Sequence, residues 1–324
     1  MFEIIHGSIS ADKRVAYAVV YNEMFYLPAF LDHYRGIGIE QFIFIDDHST
    51  DGSRDFLAAQ PDTVIVRPQM RFGDKLNGKR AGPQWKTLFA HEYLLGRWTL
   101  CVDADEFLVL NSLHLNDILS RAEARGDVSL PAVMVDMYPA EMATLQGANA
   151  PTSFASMLHA YPCFDRGPYI DWREGALRPR VIFEGATARL LSEHGVARTQ
   201  YSSLLVRLRE FFSPGRSRSV FKVPLVKWQE GLKYLDSHTL NRPPSTVDGL
   251  ALLHFKFTGS LRQKIDWAKE RKSFSKASRG YFALEAMLAG AANRPGGLTY
   301  EGTCRYGSYR DLELAGIVPF GTHR

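Results

Sequence analysis

The sequence predicts an α/β fold, with a mostly parallel central sheet flanked by helices and a helical extension at the C-terminal end. Three observations predict it. Short apolar, partly β-branched runs recur at 15–20, 41–45, 63–66 and 98–102, the composition of strands buried on both faces. Stretches of helical periodicity separate them, and alternating strands and helices imply parallel pairing through right-handed crossovers. Three of these strands also run into polar clusters, Asn22-Glu23, Asp46-Asp47 and Asp103-Ala104-Asp105, which such a sheet delivers to one edge.

Each element has its own justification. The first run ends in Tyr21-Asn22-Glu23, and a helix follows with Leu27, Phe30, Leu31 and Tyr34 at spacings of three and four. Pro28 is tolerated in its first turn, and Gly36 and Gly38 close it. The second run enters Asp46-Asp47-His48-Ser49-Thr50-Asp51-Gly52-Ser53, whose acids and hydroxyls suit a tight turn and a helix cap. For Asp46 and Asp51 that turn-and-cap role is a full reading by itself. The third run leads through a basic loop with Lys75, Lys79 and Arg80 into a helix from Gln84 to Leu95, and the fourth feeds the acid pair. Farther on, Leu261, Ile265, Ala268, Lys269 and Lys272 fit an amphipathic helix, Tyr281 to Ala289 a second, and Pro295-Gly296-Gly297 a loop.

The acid pair carries the most chemistry. Residues i and i+2 of a strand share a side, so an extended chain turns Asp103 and Asp105 toward one spot at the carboxyl edge, where open α/β sheets bind ligands. Two carboxylates there suit a hard divalent cation, which takes oxygen ligands and bridges protein acids to phosphates. The plain alternative is a pair of acids that solvates a strand end or caps a helix. Neither a glycine-rich phosphate loop nor a Walker motif occurs.

Composition sets the class. With 324 residues and 45% apolar content the chain buries a substantial core. Cys101, Cys163 and Cys304 are odd in number and far apart, which suggests a reducing cytoplasm rather than a disulfide framework or a zinc cluster. No leader and no bilayer-length apolar run is read, so the expected location is cytoplasmic and any membrane contact peripheral, at the inner face. A net charge of +4 without a recognised reading module disfavours nucleic acid as a partner.

Taken together, Tyr21-Asn22-Glu23, the Asp46-Asp47 to Gly52 turn, Gln84 and the Asp103-Ala104-Asp105-Glu106-Phe107-Leu108 stretch resemble the signature of family 2 glycosyltransferases of the GT-A fold, in particular a bacterial branch with a DaDEFl motif. Phe221 to Trp228 and Leu252 to Phe257 also resemble segments of that branch, so the similarity covers roughly 14–285. The resemblance implies a single GT-A-like catalytic domain over 1–290, with a nucleotide-binding half at about 12–135 and an acceptor and catalytic half at about 136–260, and 291–324 as an extension. It implies transfer of a sugar, usually with inversion, from a nucleotide diphosphate sugar, a UDP-sugar first among the candidates, to a glycan or lipid-linked acceptor in bacterial surface glycan or capsule synthesis. The cofactor it implies is Mn2+ or Mg2+ on Asp103 and Asp105, with Asp105 the more direct ligand and His254 a third; the alternative for His254 is a core histidine. Asn22, Glu23, Asp47, Asp103 and Gln84 match positions that meet base, ribose or nucleotide, and Lys256 a cation beside the diphosphate.

An inverting transfer needs an acid to take the acceptor proton. The window where relatives place it holds Asp165, Asp171, Glu174 and Glu184; Glu174, before a glycine and beside aromatics, is the first candidate and Asp171 the second. The acidic dipeptide that often marks the base in the family is absent, and surface pairing with Arg173 or Arg178 is an equal account of either acid. Arg178 and Arg180 are candidates for a phosphate, and Trp228 and His238 for an acceptor pocket. Arg198, Arg207, Arg209, Arg216, Arg218 and Lys222, interleaved with apolar residues, read either as a segment leaning on an anionic membrane or as a charged excursion across the acceptor site or a soluble helix. A nucleotidyltransferase and a degenerate, non-catalytic binder of nucleotide or glycan are the rival functions.

Overall fold

The computed structural model describes residues 1–111, 113–147, 149–194, 220–271, 279–291 and 297–317. At its centre lies a nine-stranded sheet in the order Phe2–His6, Thr63–Pro68, Gln41–Asp46, Val15–Val20, Trp98–Cys101, Phe221–Lys227, Ser129–Asp136, Ala251–His254, Glu106–Val109. Every strand read from the sequence is present, and the edge strand Phe2–His6 was not foreseen.

Thr63–Pro68 through Trp98–Cys101 form a parallel block. Beyond it, Phe221–Lys227 runs antiparallel to both neighbours, and both edge strands are antiparallel as well. The expected mostly parallel sheet is therefore parallel in one half and mixed in the other. For Glu106–Val109 chain length bears on the sense: only Val102–Asp105 separates it from Trp98–Cys101, far short of the dozen or so residues a parallel crossover needs.

In the parallel block the two faces alternate residue by residue. Ala16, Ala18, Val20, Phe42 and Phe44 pack with Leu27, Phe30, Leu31 and Tyr34 of the helix Leu27–Gly36. Val15, Tyr17, Ile43 and Ile45 pack on the other face with Trp85, Phe89 and Ala90 of the helix Gly82–Tyr93. Both faces are thus covered, as continuous apolar strands require.

Two prolines shape the mixed half. Pro131 and Pro224 lie where the pairing of Ser129–Asp136 with Phe221–Lys227 loses register, and the Val223 N–H donates instead to His238 O at 3.0 Å. Proline offers no ladder donor, so a central strand keeps it only at such an irregularity.

The edge strand Glu106–Val109 is closed by side chains. His33 Nε2 donates to Leu108 O at 2.7 Å, Tyr34 Oη donates to Glu106 O at 2.8 Å, and the Leu108 N–H donates to Tyr34 Oη at 2.9 Å. Capping of this kind removes the row of unpaired groups that invites another strand.

The helices Gly185–Glu193, Leu261–Arg271 and Arg279–Ala291 share a third apolar cluster with Tyr138 and Phe257. The C-terminal segment joins through Thr303–Arg305, antiparallel to Cys163–Asp165, and carries a strand as well as the helix Tyr309–Leu314. Among the described residues no helix is long and apolar enough to cross a membrane, and the three cysteines are free.

Candidate functional site

The polar clusters do meet at one edge, but through cations of the chain. Val102–Asp105 passes from the middle of the sheet to its far edge, across the ends of the strands between. The chain turns at Ala104–Asp105, where the Glu106 N–H donates to Asp103 O at 3.0 Å, and the two acids stay near enough for the charge of Asp103 to act on Asp105, although each meets its own cations.

Asp103 accepts from Lys86 Nζ at 2.7 Å on one oxygen and from Lys222 Nζ at 3.0 Å on the other. Lys222 also donates to Glu106, and its side chain is 0% exposed against 39% for Asp103. Asp105 accepts from Lys264 Nζ at 2.9 Å and lies 3.8 Å from His254 Nε2. The same Lys264 Nζ stands 3.0 Å from Glu23 Oε2 and 4.4 Å over the Tyr26 ring. On the other side of the imidazole, His254 Nδ1 is 2.7 Å from Asp136 Oδ1. The second oxygen of Asp136 accepts from the Thr187 hydroxyl and, at 3.2 Å, from the Thr187 N–H.

Local structure places each group. His254, Asp136 and Glu106 face one another because their strands pair in that register. Gly185, at φ +70°, starts the helix that brings Thr187 to Asp136, a backbone conformation that side chains other than glycine rarely adopt. Lys264 is positioned by the start of its helix: Tyr26 Oη donates to Phe255 O at 3.0 Å and bonds the Thr258 and Ser260 hydroxyls at 2.7 and 2.8 Å.

Charge follows contact. Burial opposes ionisation of Asp103, yet Lys222 and Lys86 outweigh it and hold the carboxyl well below its ordinary range. Asp105 is also lowered, burial being overcome by Lys264 and then His254. Glu23 goes the other way, pushed up to about 7 by burial despite Lys264, with Asp105 adding to the rise. Burial disfavours the His254 imidazolium, but Asp136 and Asp105 raise it above its ordinary value.

The remaining predicted residues fall into two groups. Asn22, at φ 55°, accepts from the Thr50 N–H at 2.7 Å, while its own N–H donates to Ser49 Oγ at 2.9 Å, locking the first two strand-end loops together. Asp47 accepts from the Phe72 N–H at 3.1 Å. Asp46 takes Ser49 and Arg54, and Asp51 takes Met24 and Ser53, so both hold turns. Gln84 Nε2 donates to Leu76 O and Arg80 O at 3.2 and 2.8 Å and pins the hairpin of Lys75–Leu76 and Lys79–Arg80. Lys256 is half-buried, and its charge acts on Asp136 and His254.

In the second group, Asp171 and Arg180 are exposed partners on a two-stranded ribbon, and Glu174 is exposed in the turn after it. Arg178 reaches Asp236 at 2.6 Å and Thr239 at 3.2 Å. Asp165, from the same acidic window, is sealed against Arg189. Of Trp228 and His238, candidates for an acceptor pocket, Trp228 is a core residue bonded to Thr99, and the half-buried His238 bonds Phe221 O. Lys222, read as part of a basic surface segment, is a buried member of the acid cluster; Arg198, Arg207, Arg209, Arg216 and Arg218 lie outside the described residues.

Sequence reasoning missed Lys86, Lys264, Asp136 and Thr187. Only Asp136 left a signal, an apolar run from Leu130 to Val135 that ends in an acid just as the 98–102 run ends in Asp103. A divalent cation does not fit Asp103, Asp105 and His254 as they stand: both Asp103 oxygens and Oδ2 of Asp105 already face ammonium groups, and among the described residues no three His, Cys, Asp or Glu side chains are gathered as a metal shell. A groove of 750 Å³ lies elsewhere, along the capped edge, lined by residues such as His33, Val109, His114, Phe154 and Tyr306.

No family model matches the chain, and no curated protein matches it in sequence. Among solved structures it is similar to a putative glucose-1-phosphate thymidylyltransferase from Bacillus anthracis in complex with a sucrose, at 8% identity over 96% of each chain with a TM-score of 0.29. It is also similar to a UDP-glucose pyrophosphorylase complexed with UDP-glucose, at 10% identity over 50% of this chain and 65% of that one, with a TM-score of 0.22.

Proposed function

We propose that the chain is a glycosyltransferase of the GT-A type, resembling family 2, which moves a sugar from a nucleotide diphosphate sugar to an acceptor hydroxyl during synthesis of a bacterial surface glycan. One observation carries the reading. Lys264 joins Glu23 to Asp105, so the strand-end motif at 21–23 and the acid motif at 103–106, far apart in sequence, form one cluster at the edge where α/β sheets hold ligands.

In this reading Asn22, Glu23 and Asp47 flank the base and ribose, and fixed cations answer the charge that grows on the departing diphosphate. Glu174, then Asp171, are the acids proposed to take the acceptor proton; both are solvent-exposed.

The test is a panel of nucleotide sugars, UDP-sugars first, followed by nucleotide release and by thermal shift, for the wild type and for Asp105→Asn. Nucleoside diphosphate release that falls at least about a hundredfold in Asp105→Asn is the expected outcome. Stabilisation without release points to a binder without turnover, and release of pyrophosphate to a nucleotidyltransferase. A chain that neither binds nor turns over any member of the panel is not a nucleotide-sugar enzyme.

A further inference from the structure

The acids of the cluster alternate with the chain's own cations. One series runs Lys86, Asp103, Lys222, Glu106, and a second runs Glu23, Lys264, Asp105, His254, Asp136. From this alternation we infer that the chain binds the diphosphate of its donor without a divalent cation, Lys264 serving as the built-in positive charge. The inference rests on the nucleotide-sugar reading given above and adds to it the source of the counter-charge.

The acid oxygens are already occupied by ammonium groups. A metal ion on Asp103 has to draw the carboxylate away from Lys86 and Lys222, and Lys222 is wholly buried, with Glu106 its other anionic partner. A buried ammonium that loses part of its neutralisation is strongly disfavoured. A metal ion on Oδ2 of Asp105 meets the Lys264 ammonium already 2.9 Å from that atom. Two cations crowded onto one carboxylate oxygen repel each other in a partly desolvated site.

What a metal supplies to a leaving diphosphate is positive charge held in a fixed place. Lys264 supplies one fixed positive charge in place of the two of a divalent ion. Its side chain is 15% exposed and its ammonium is held by Asp105, Glu23 and the Tyr26 ring, and Lys256 acts on Asp136 and His254 of the same series. An ammonium is a compact point charge with three donors, well suited to phosphate oxygens.

The experiment is calorimetric titration of the full chain with UDP, and in parallel with GDP, dTDP, CDP and ADP, once in excess EDTA and once with Mn2+. The expected result is a diphosphate whose Kd agrees within about threefold between the two conditions, weakened at least about tenfold in both by Lys264→Met and largely restored by Lys264→Arg. Electron paramagnetic resonance of Mn2+ mixed with the free protein is expected to show the unbound ion.

Binding that appears only with Mn2+ overturns the inference and leaves the nucleotide-sugar reading standing. So does a Lys264→Met variant that gains Mn2+ affinity and binds diphosphate as well as wild type, because Lys264 then merely blocks a metal site. Absence of binding for every diphosphate in both conditions overturns both. If Lys264→Met does not fold, as judged by circular dichroism, the wild-type comparison and Lys264→Arg decide alone.

Discussion

Two carboxylates of this molecule sit against cations and do opposite things. Asp165 meets Arg189 through both oxygens at 2.8 and 3.0 Å, takes the Tyr138 hydroxyl at 2.7 Å, and is 0% exposed. Arg189 in turn donates to Leu298 O and stacks on Tyr300 at 4.1 Å, so the pair staples the C-terminal segment to the core. Asp103 has the same number of cationic contacts, but they come from two separate lysines, and a large part of its side chain remains open to solvent. The contrast teaches that an ion pair by itself does not distinguish scaffold from site. An acid whose lone pairs are all spent inward is structural, whereas one that shares its cations and keeps an open face is placed to receive a ligand.

The largest expected effect breaks the staple. Asp165→Ala leaves Arg189 buried without its carboxylate and Tyr138 without its acceptor, a change expected to cost about 3–5 kcal/mol of folding stability. Urea unfolding measures it. Diphosphate affinity of the folded fraction is expected to stay at the wild-type value, and a loss of affinity matching that of a site variant would erase the distinction between the two regions.

The sequence made the parallel half of this fold legible because each strand there is a closed unit: an apolar run, a polar loop and a periodic helix, as in Val15–Val20 with Leu27–Gly36. It left the mixed half obscure because Phe221–Lys227 pairs with strands about 90 to 125 positions earlier in the chain, and no local pattern encodes such a partner. The site divides in the same way. Asp103, Asp105 and Glu23 were readable, since acids that interrupt apolar runs stand out. Lys86 and Lys264 were not, because each sits on an amphipathic helix where a lysine is the ordinary surface residue, and only the docking of those helices turns the side chains onto the acids.

A second, smaller effect separates two kinds of buried histidine. His33, which caps the edge strand, is lowered to about 4 by burial, the bond to Leu108 O opposing the shift, and His238 is lowered to about 4 by burial and the nearby Lys222. A base whose folded pKa lies below its unfolded value is protonated more readily by the unfolded chain. Its contribution is therefore complete above pH ~6.5 and is lost as pH falls from there toward 4, up to roughly 3 kcal/mol for each histidine. His254, raised instead by Asp136 and Asp105 against burial, works in the opposite sense: its contribution is present below pH ~6.5 and fades as pH rises through its folded value. Thermal melts across pH 4 to 7 measure the sum. His33→Gln keeps a donor for Leu108 O and is expected to flatten the acid limb; an unchanged limb would mean that His33 is not the group being titrated.

The smallest effect tests whether the second alternating series is a site or another staple. Thr187→Val is nearly the same shape but removes the hydroxyl that donates to Asp136, while the backbone N–H of the residue remains in place. A hydrogen bond to a carboxylate contributes about 1.5–3 kcal/mol when it is lost outright, and the retained N–H holds the expected destabilisation near the low end, about 1–2 kcal/mol. If Asp136 only supports the fold, stability drops by that amount and nucleotide release is untouched. If Asp136 aims His254 toward Asp105, release falls as well, by less than in Asp105→Asn, because the imidazole keeps its partner but loses the group that fixes it. The melt and the release assay on this one variant therefore decide on which side of the comparison Asp136 belongs.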